Sequence, residues 1–366
     1  MRMKSNLIHL VTSLCLFFLA EATTIDTDMF NAIMLDAEDG DSKAQFLAGY
    51  AFFEGKGVSK NIDESIKWYR LAAEQGYLDA QLELGNIYKM GDGVPRDDIE
   101  ASKWYLKAAK QGSANAQFMI GLCYSLGEGF AVNDSESVKW YRKAAEQEDA
   151  EAQFYLGKAY ANGVGIVQDD TKAVKWYRKA AERGYAEAQF ILGFRYVQGK
   201  GLPEDFTEAA KWFRKAAEQG HADAQYFIGL QHADGVGIQK DDMEAFRWFR
   251  KAAEQGYANA QRELGLKYAK GVGIHKDYTE AKRWLRKAAE QGYAKAQSDL
   301  GVMYFNGMGV PQDFVYAYKW LNLAAAQGDD DASNKKEIIV KKMTKEQIAK
   351  AQKLSREWVA NGTGVE

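Results

Sequence analysis

The chain is 366 residues long, carries a formal net charge of −3, and contains 3 prolines and 2 cysteines. The mild acidity, with basic residues spread evenly among acids, leaves no nucleic-acid footprint. So few prolines exclude a linker-rich chain, and so few cysteines exclude a disulfide-stapled one.

Residues 1–22 have the pattern of an export signal. Arg2 and Lys4 precede an apolar run from Leu7 to Leu19 that lacks Asp, Glu, Lys and Arg, and Ala20-Glu21-Ala22 offers a small-residue cleavage site. The run is short for a membrane span, which takes about 20 residues. The expectation is an exported protein, periplasmic or secreted, with no stable membrane insertion after signal cleavage. Cys15 leaves with the signal, so Cys123 remains as a lone thiol and the mature chain has to be stable without a disulfide.

Residues 23–43 align 36 residues upstream of the next segment, with Ala37-Glu38-Asp39-Gly40 over Ala73-Glu74-Gln75-Gly76. They read as a half-unit, a second helix alone, forming an N-terminal cap. From residue 44 to 331 one unit is repeated eight times. It opens at Ala44, Ala80, Ala116, Ala152, Ala188, Ala224, Ala260 and Ala296, and its tryptophans are Trp68, Trp104, Trp140, Trp176, Trp212, Trp248, Trp284 and Trp320. Every interval is 36 residues, so no insertion provides a loop to house a catalytic site.

Each unit reads as two helices. In the second copy, Ala80, Leu84 and Tyr88 are four apart and share one helix face. Gly85 lies beside them, and a glycine inside a helix costs roughly 1 kcal/mol against alanine. Its recurrence points to a close helix–helix approach that a Cβ would obstruct. Gly91 ends the helix and Gly93-Val94-Pro95 turns the chain. Ala101, Trp104, Ala108 and Ala109 line the inner side of the second helix, a large-into-small arrangement, and Gly112 closes the unit. The fold class that follows is all-α, an α-solenoid of about eight 36-residue helix-turn-helix repeats with helical caps.

Three copies depart from the pattern. Ala48 stands for the Leu before Gly49, His232 for the Tyr, and Glu148 for the closing Gly, where a left-handed backbone costs a non-glycine residue about 1 kcal/mol or more. The expectation there is local strain or rearrangement. Beyond residue 331 the pattern fades into capping helices over 332–366. Thr344 opens a T-K-E-Q capping box, and Ile348, Ala351, Leu354 and Trp358 form the stripe of a final helix.

The motifs A-Q-x-x-[LI]-G-x-x-Y, G-x-G-[VIL] and [KR]-W-[YFL]-x-x-A-A recur at fixed offsets. Over about residues 44–330 they resemble the Sel1-like repeat family, a relative of the tetratricopeptide repeat. The resemblance implies a right-handed superhelix whose concave groove, lined by the first helices, binds a protein or peptide ligand. In a bacterium it also suggests adaptors and host-interaction factors.

No constellation of catalytic or cofactor-binding residues competes with that reading. The Gly-x-Gly elements follow helices and recur in every unit, which is turn chemistry and not a phosphate loop. His221, His232 and His275 occupy different repeat positions without a Cys or His at ligand spacing, so neither a metal nor another cofactor is expected. Asp97-Asp98 and Asp241-Asp242 sit where helix caps and first-turn charges belong. Some secreted relatives of this kind are cysteine-rich and are associated with β-lactam binding or hydrolysis. This chain lacks their cysteine framework, and a non-enzyme is expected. The sequons at Asn133-Asp134-Ser135 and Asn361-Gly362-Thr363 keep a eukaryotic lumenal quality-control adaptor as a lesser alternative.

By analogy with tetratricopeptide arrays, the groove is read at the second, third, sixth and ninth residues after each opening Ala. The central copies are apolar there and the seventh turns polar. The expected partner-binding residues are Met119, Leu122, Tyr155, Phe190, Phe194, Tyr226, Phe227 and Arg262. The second-position aromatics are also placed to be half-buried between adjacent helices.

Overall fold

A computed structural model describes residues 25–360; the expected export signal and the sequon at Asn361 lie outside the described residues. Within them the chain is all-α, with nineteen helices and no strand. The helices fall into two compact units, and the chain passes from the first to the second between Asp169 and Asp170, inside the fourth repeat. The first unit holds α1 (Thr27–Glu38), α2 (Ser42–Glu54), α3 (Ile62–Glu74), α4 (Leu78–Met90), α5 (Asp98–Lys110), α6 (Ala114–Leu126), α7 (Asp134–Glu146) and α8 (Ala150–Asn162). The second holds α9 (Asp170–Glu182), α10 (Ala186–Gln198), α11 (Phe206–Glu218), α12 (Ala222–Asp234), α13 (Asp242–Glu254) and α14 (Ala258–Lys270), then α15 (Tyr278–Glu290), α16 (Ala294–Asn306), α17 (Phe314–Ala326), α18 (Asp330–Val340) and α19 (Lys345–Ala360). In each unit a helix packs chiefly on its neighbours in the chain; α19 folds back onto α17.

The helix ends follow from local chemistry. A second helix starts where an Asp or Asn in extended backbone accepts from the free amides of the first turn, as Asp97 does from Ile99 and Glu100. A first helix ends at a left-handed glycine such as Gly91, φ 70°. Thr344 and Gln347 form the expected reciprocal capping box, with bonds of 2.9 and 3.3 Å.

The recurring helix-interior glycine has a specific partner. A Cβ on Gly49 would lie 2.6 Å from the ring of Tyr69, and one on Gly265 would lie 2.8 Å from Leu285 Cγ. The core residue opposite it is the one that follows the tryptophan. Tyr69, Tyr105, Phe213 and Phe249 are almost wholly buried, whereas Trp140 and Trp176 are only half-buried. The expected inner-side tryptophan is itself buried in six of the eight copies, Trp68, Trp104, Trp212, Trp248, Trp284 and Trp320, and the residue after it lies deeper still in several of them.

Glu148 holds the left-handed conformation at φ 69°. Its turn keeps the bonds of its glycine counterparts, Glu148 N to Ala145 O at 3.1 Å and Asp149 N to Ala144 O at 3.2 Å. The turn is therefore strained and not rearranged. In the terminal helix only Ala351 of the expected stripe is fully buried, with Ser355 next to it; Ile348, Leu354 and Trp358 are half-buried, the last edge-on to Trp320.

Candidate partner-binding face

The first helices α2, α4, α6 and α8 of one unit, and α10, α12, α14 and α16 of the other, carry the positions read as a groove. The second residue after the opening Ala meets the third residue of the following repeat. Both lie over the residue after the tryptophan. In the second unit Phe190 is 5.7 Å from Phe227, and both rings lie over Phe213, at 5.8 and 5.4 Å. Phe194 joins edge-on to Phe227 at 5.7 Å. Tyr226 continues the row against Phe249 and Tyr257. In the first unit Phe118 packs on Tyr155 at 5.4 Å over Tyr141.

Seven of the eight expected contact residues, Leu122, Tyr155, Phe190, Phe194, Tyr226, Phe227 and Arg262, are half-buried, part core and part surface. Met119 is not. It is 7% exposed, turned into the core, and does not present a contact surface. The same register turns polar further along, where Arg262 Nε donates to Asp299 Oδ2 at 2.6 Å. Burial raises the Asp299 carboxyl pKa despite the guanidinium beside it. In the first unit burial pushes the Glu83 and Glu151 carboxyls up to about 7.

Two sets of functional-looking side chains escaped the sequence reading. The glutamine after each opening Ala is buried. Gln189 Nε2 donates to Ala181 O at 3.0 Å while its Oε1 accepts from Gln219 Nε2 at 2.8 Å. Its recurrence in the Ala-Gln pair was the available signal. The seventh residue after the opening Ala was assigned no role, yet in two copies it is a nearly buried cation. Arg195 Nη1 lies 2.8 Å from Asp170 Oδ1, and Lys267 Nζ lies 2.9 Å from Asp242 Oδ1. A charge at a core-facing helical position was the signal there. Asp242, read as a first-turn charge, is thus also an ion-pair partner.

The histidines stay apart. His221 caps α12 through Nδ1, which leaves Nε2–H to donate to Glu187 at 2.9 Å, and it stacks on Phe190. His232 takes the place of tyrosines that accept from an arginine 18 residues earlier, as Tyr88 does from Arg70 at 2.9 Å. Its Nε2 lies 3.1 Å from Arg214 Nη2, and burial together with that guanidinium lowers its pKa. His275 is exposed. Among the described residues no group of three His, Cys, Asp or Glu side chains could hold a metal ion, and no helix is long and apolar enough to cross a membrane. Cys123 is buried, and burial pushes its thiol up to about 11, away from the reactive thiolate.

Comparison with known proteins agrees with this geometry. The family model described as the Sel1 repeat matches eight consecutive stretches, residues 42–77, 78–113, 114–149, 150–185, 186–221, 222–257, 258–293 and 294–329. A Sel1 repeat protein from Oxalobacter formigenes is 37% identical, over 83% of this chain and 88% of that one, with a TM-score of 0.63. A protective antigen present in uropathogenic Escherichia coli strains, displaying an SLR fold, is 34% identical over 96% of this chain and 84% of its own, with a TM-score of 0.57. No curated protein matches the chain. The chain belongs to the Sel1 repeat family, a scaffold typical of protein–protein interaction.

Proposed function

We propose that this protein is an exported, non-enzymatic scaffold that holds a partner peptide or helix against its first helices, in the concave groove that such arrays present. The observation that carries the reading is the half-buried aromatic row Phe190, Phe194, Phe227 and Tyr226. Aromatic anchors of this kind, part sunk and part open, are the usual seat of binding energy at an interface. The likeness to a protective antigen of a pathogenic bacterium supports a role at the cell exterior, facing a host.

The test replaces Phe194 and Tyr155 with alanine, separately and together, and repeats affinity capture from the compartment where the protein resides. Partner capture is expected to fall while helicity by circular dichroism stays unchanged. Unchanged capture with intact helicity removes the groove from consideration. Turnover of a chromogenic β-lactam by the purified protein would overturn the non-enzymatic part.

A further inference from the structure

Resting on the partner-binding reading, we infer that the first unit contains an open cation slot that takes the arginine or lysine side chain of a bound polypeptide. The slot is identified by comparing the chain's own repeats. In the second unit, an aspartate in the first turn of a second helix, the ring seven residues after it, and a cation 25 residues after it form one arrangement. Arg195 pairs with Asp170 and lies over the ring of Tyr177 at 5.8 Å. Lys267 pairs with Asp242 and lies 6.0 Å from the ring of Phe249. In the first unit the same register holds Asp134, Tyr141 and Ala159. The aspartate and the ring are kept and the cation is replaced by a methyl group.

A cavity of about 130 Å³ stands there, lined among others by Ser125, Asp134, Ser137, Tyr141, Lys158 and Ala159. One water needs about 10–15 Å³ of such space, so the cavity is large enough to admit the end of a side chain. Tyr141 is 4% exposed and its hydroxyl is buried without a well-aligned hydrogen bond, with the Ser125 and Ser137 side chains as its polar neighbours. Tyr105, at the same repeat position, donates to Asn86 at 2.8 Å; the corresponding neighbour of Tyr141 is the apolar Leu122. Asp134 has no ion pair among the described residues, unlike Asp98, Asp170 and Asp242. Lys158, at the exposed rim, lies 5.9 Å from the centre of the Tyr155 ring and forms no ion pair with Asp134. A carboxylate without an ion pair and a buried phenol without a well-aligned bond, in one half-closed space, are complementary to a guanidinium or ammonium group. The lining includes Tyr155 and Lys158, on the third and sixth positions of the partner-binding face, beside the exposed Asn162 and Val164, so a polypeptide lying on that face reaches the cavity with a side chain.

The test uses the full chain and n-propylguanidinium, titrated by calorimetry and by NMR of labelled tyrosine rings. Saturable binding is expected, with n-butyrate inert. Asp134→Asn is expected to weaken it about tenfold, the size of one charged hydrogen bond. Ala159→Arg is expected to abolish it by filling the slot from within, and the same variant is expected to melt at a higher temperature. Equal binding by wild type and Ala159→Arg, or a response to butyrate, overturns the slot. A second arm titrates acetyl-Leu-Leu-Arg-Leu-Leu-amide, expected to bind about tenfold tighter than the free cation through neighbouring apolar contacts. A peptide no tighter than n-propylguanidinium overturns the polypeptide assignment while leaving a cation slot. Failure of the partner-binding reading itself appears differently, as unchanged affinity capture by the Phe194 and Tyr155 variants.

Discussion

Gln219 donates from Nε2 to the Oε1 of Gln189 at 2.8 Å and to the carbonyl of Gly184 at 2.9 Å, joining the end of one repeat to its own first helix and to the repeat before. Gln189 in turn reaches Ala181. The same set recurs at Gln45 and Gln75, Gln81 and Gln111, and Gln225 and Gln255. A buried amide joined at both ends substitutes for the backbone pairing that adjacent helices cannot make.

Replacing Gln225 with leucine keeps the volume and removes both bonds. It leaves Ala217 O and one Gln255 donor direction without their side-chain partner. The expected loss is about 1–2 kcal/mol, since Ala217 O keeps the bond from Gly220 N and the exposed Gln255 keeps its bond to Gly220 O. Urea denaturation measures it, with an unchanged m-value as the sign that the folded architecture is retained.

Arg262 and Asp299 occupy the register that Phe190 and Phe227 fill elsewhere. Burial holds the Asp299 pKa up even with its partner present, so desolvation is not fully offset. Arg262→Ala alone is expected to cost about 2 kcal/mol. The double variant Arg262→Phe, Asp299→Phe is expected to be at least as stable as wild type. A double variant less stable than Arg262→Ala would show that the ion pair is a net stabiliser.

Glu148→Gly relieves a positive φ at a turn whose glycine counterparts have open space where a Cβ would be. A gain of about 1 kcal/mol is expected. The check is the thermal midpoint, and a decrease would mean that the Glu148 side chain contributes more than its backbone costs.

Glu83 and Glu151 set a pH dependence. Burial raises both carboxyls from 4.5 to about 7 in the fold. The folded state therefore holds these protons more tightly than the unfolded chain does. The stability they add is complete below about pH 4.5 and is lost as pH rises through about 7. Glu83→Gln and Glu151→Gln imitate the protonated form, so the pair of substitutions is expected to flatten the stability curve between pH 5 and 8. Equal slopes for wild type and variant would show that both groups are solvated.

The sequence by itself determined the repeat. A 36-residue period, apolar positions at helical spacing, aspartates before second helices and glycines after first ones are all local instructions, and each is read within one or two turns of chain. Only the tertiary structure decided which of two neighbouring aromatics packs on the helix-interior glycine. Tyr69 and Trp68 are adjacent and equally apolar in pattern, and the choice is made by the missing Cβ of Gly49, twenty residues earlier. It also decided that Met119 turns inward while Tyr155 stays partly open, because a helix face pressed by two neighbours has no single apolar side. The relation of Asp134 to Ala159 became meaningful only once Asp170 and Arg195 were seen to touch. Many contacts between repeats, such as Arg195 with Asp170 and Phe190 with Phe227, lie 25 to 37 residues apart in the chain, beyond the reach of any local periodicity, and there the shared register of successive repeats sets what each side chain meets.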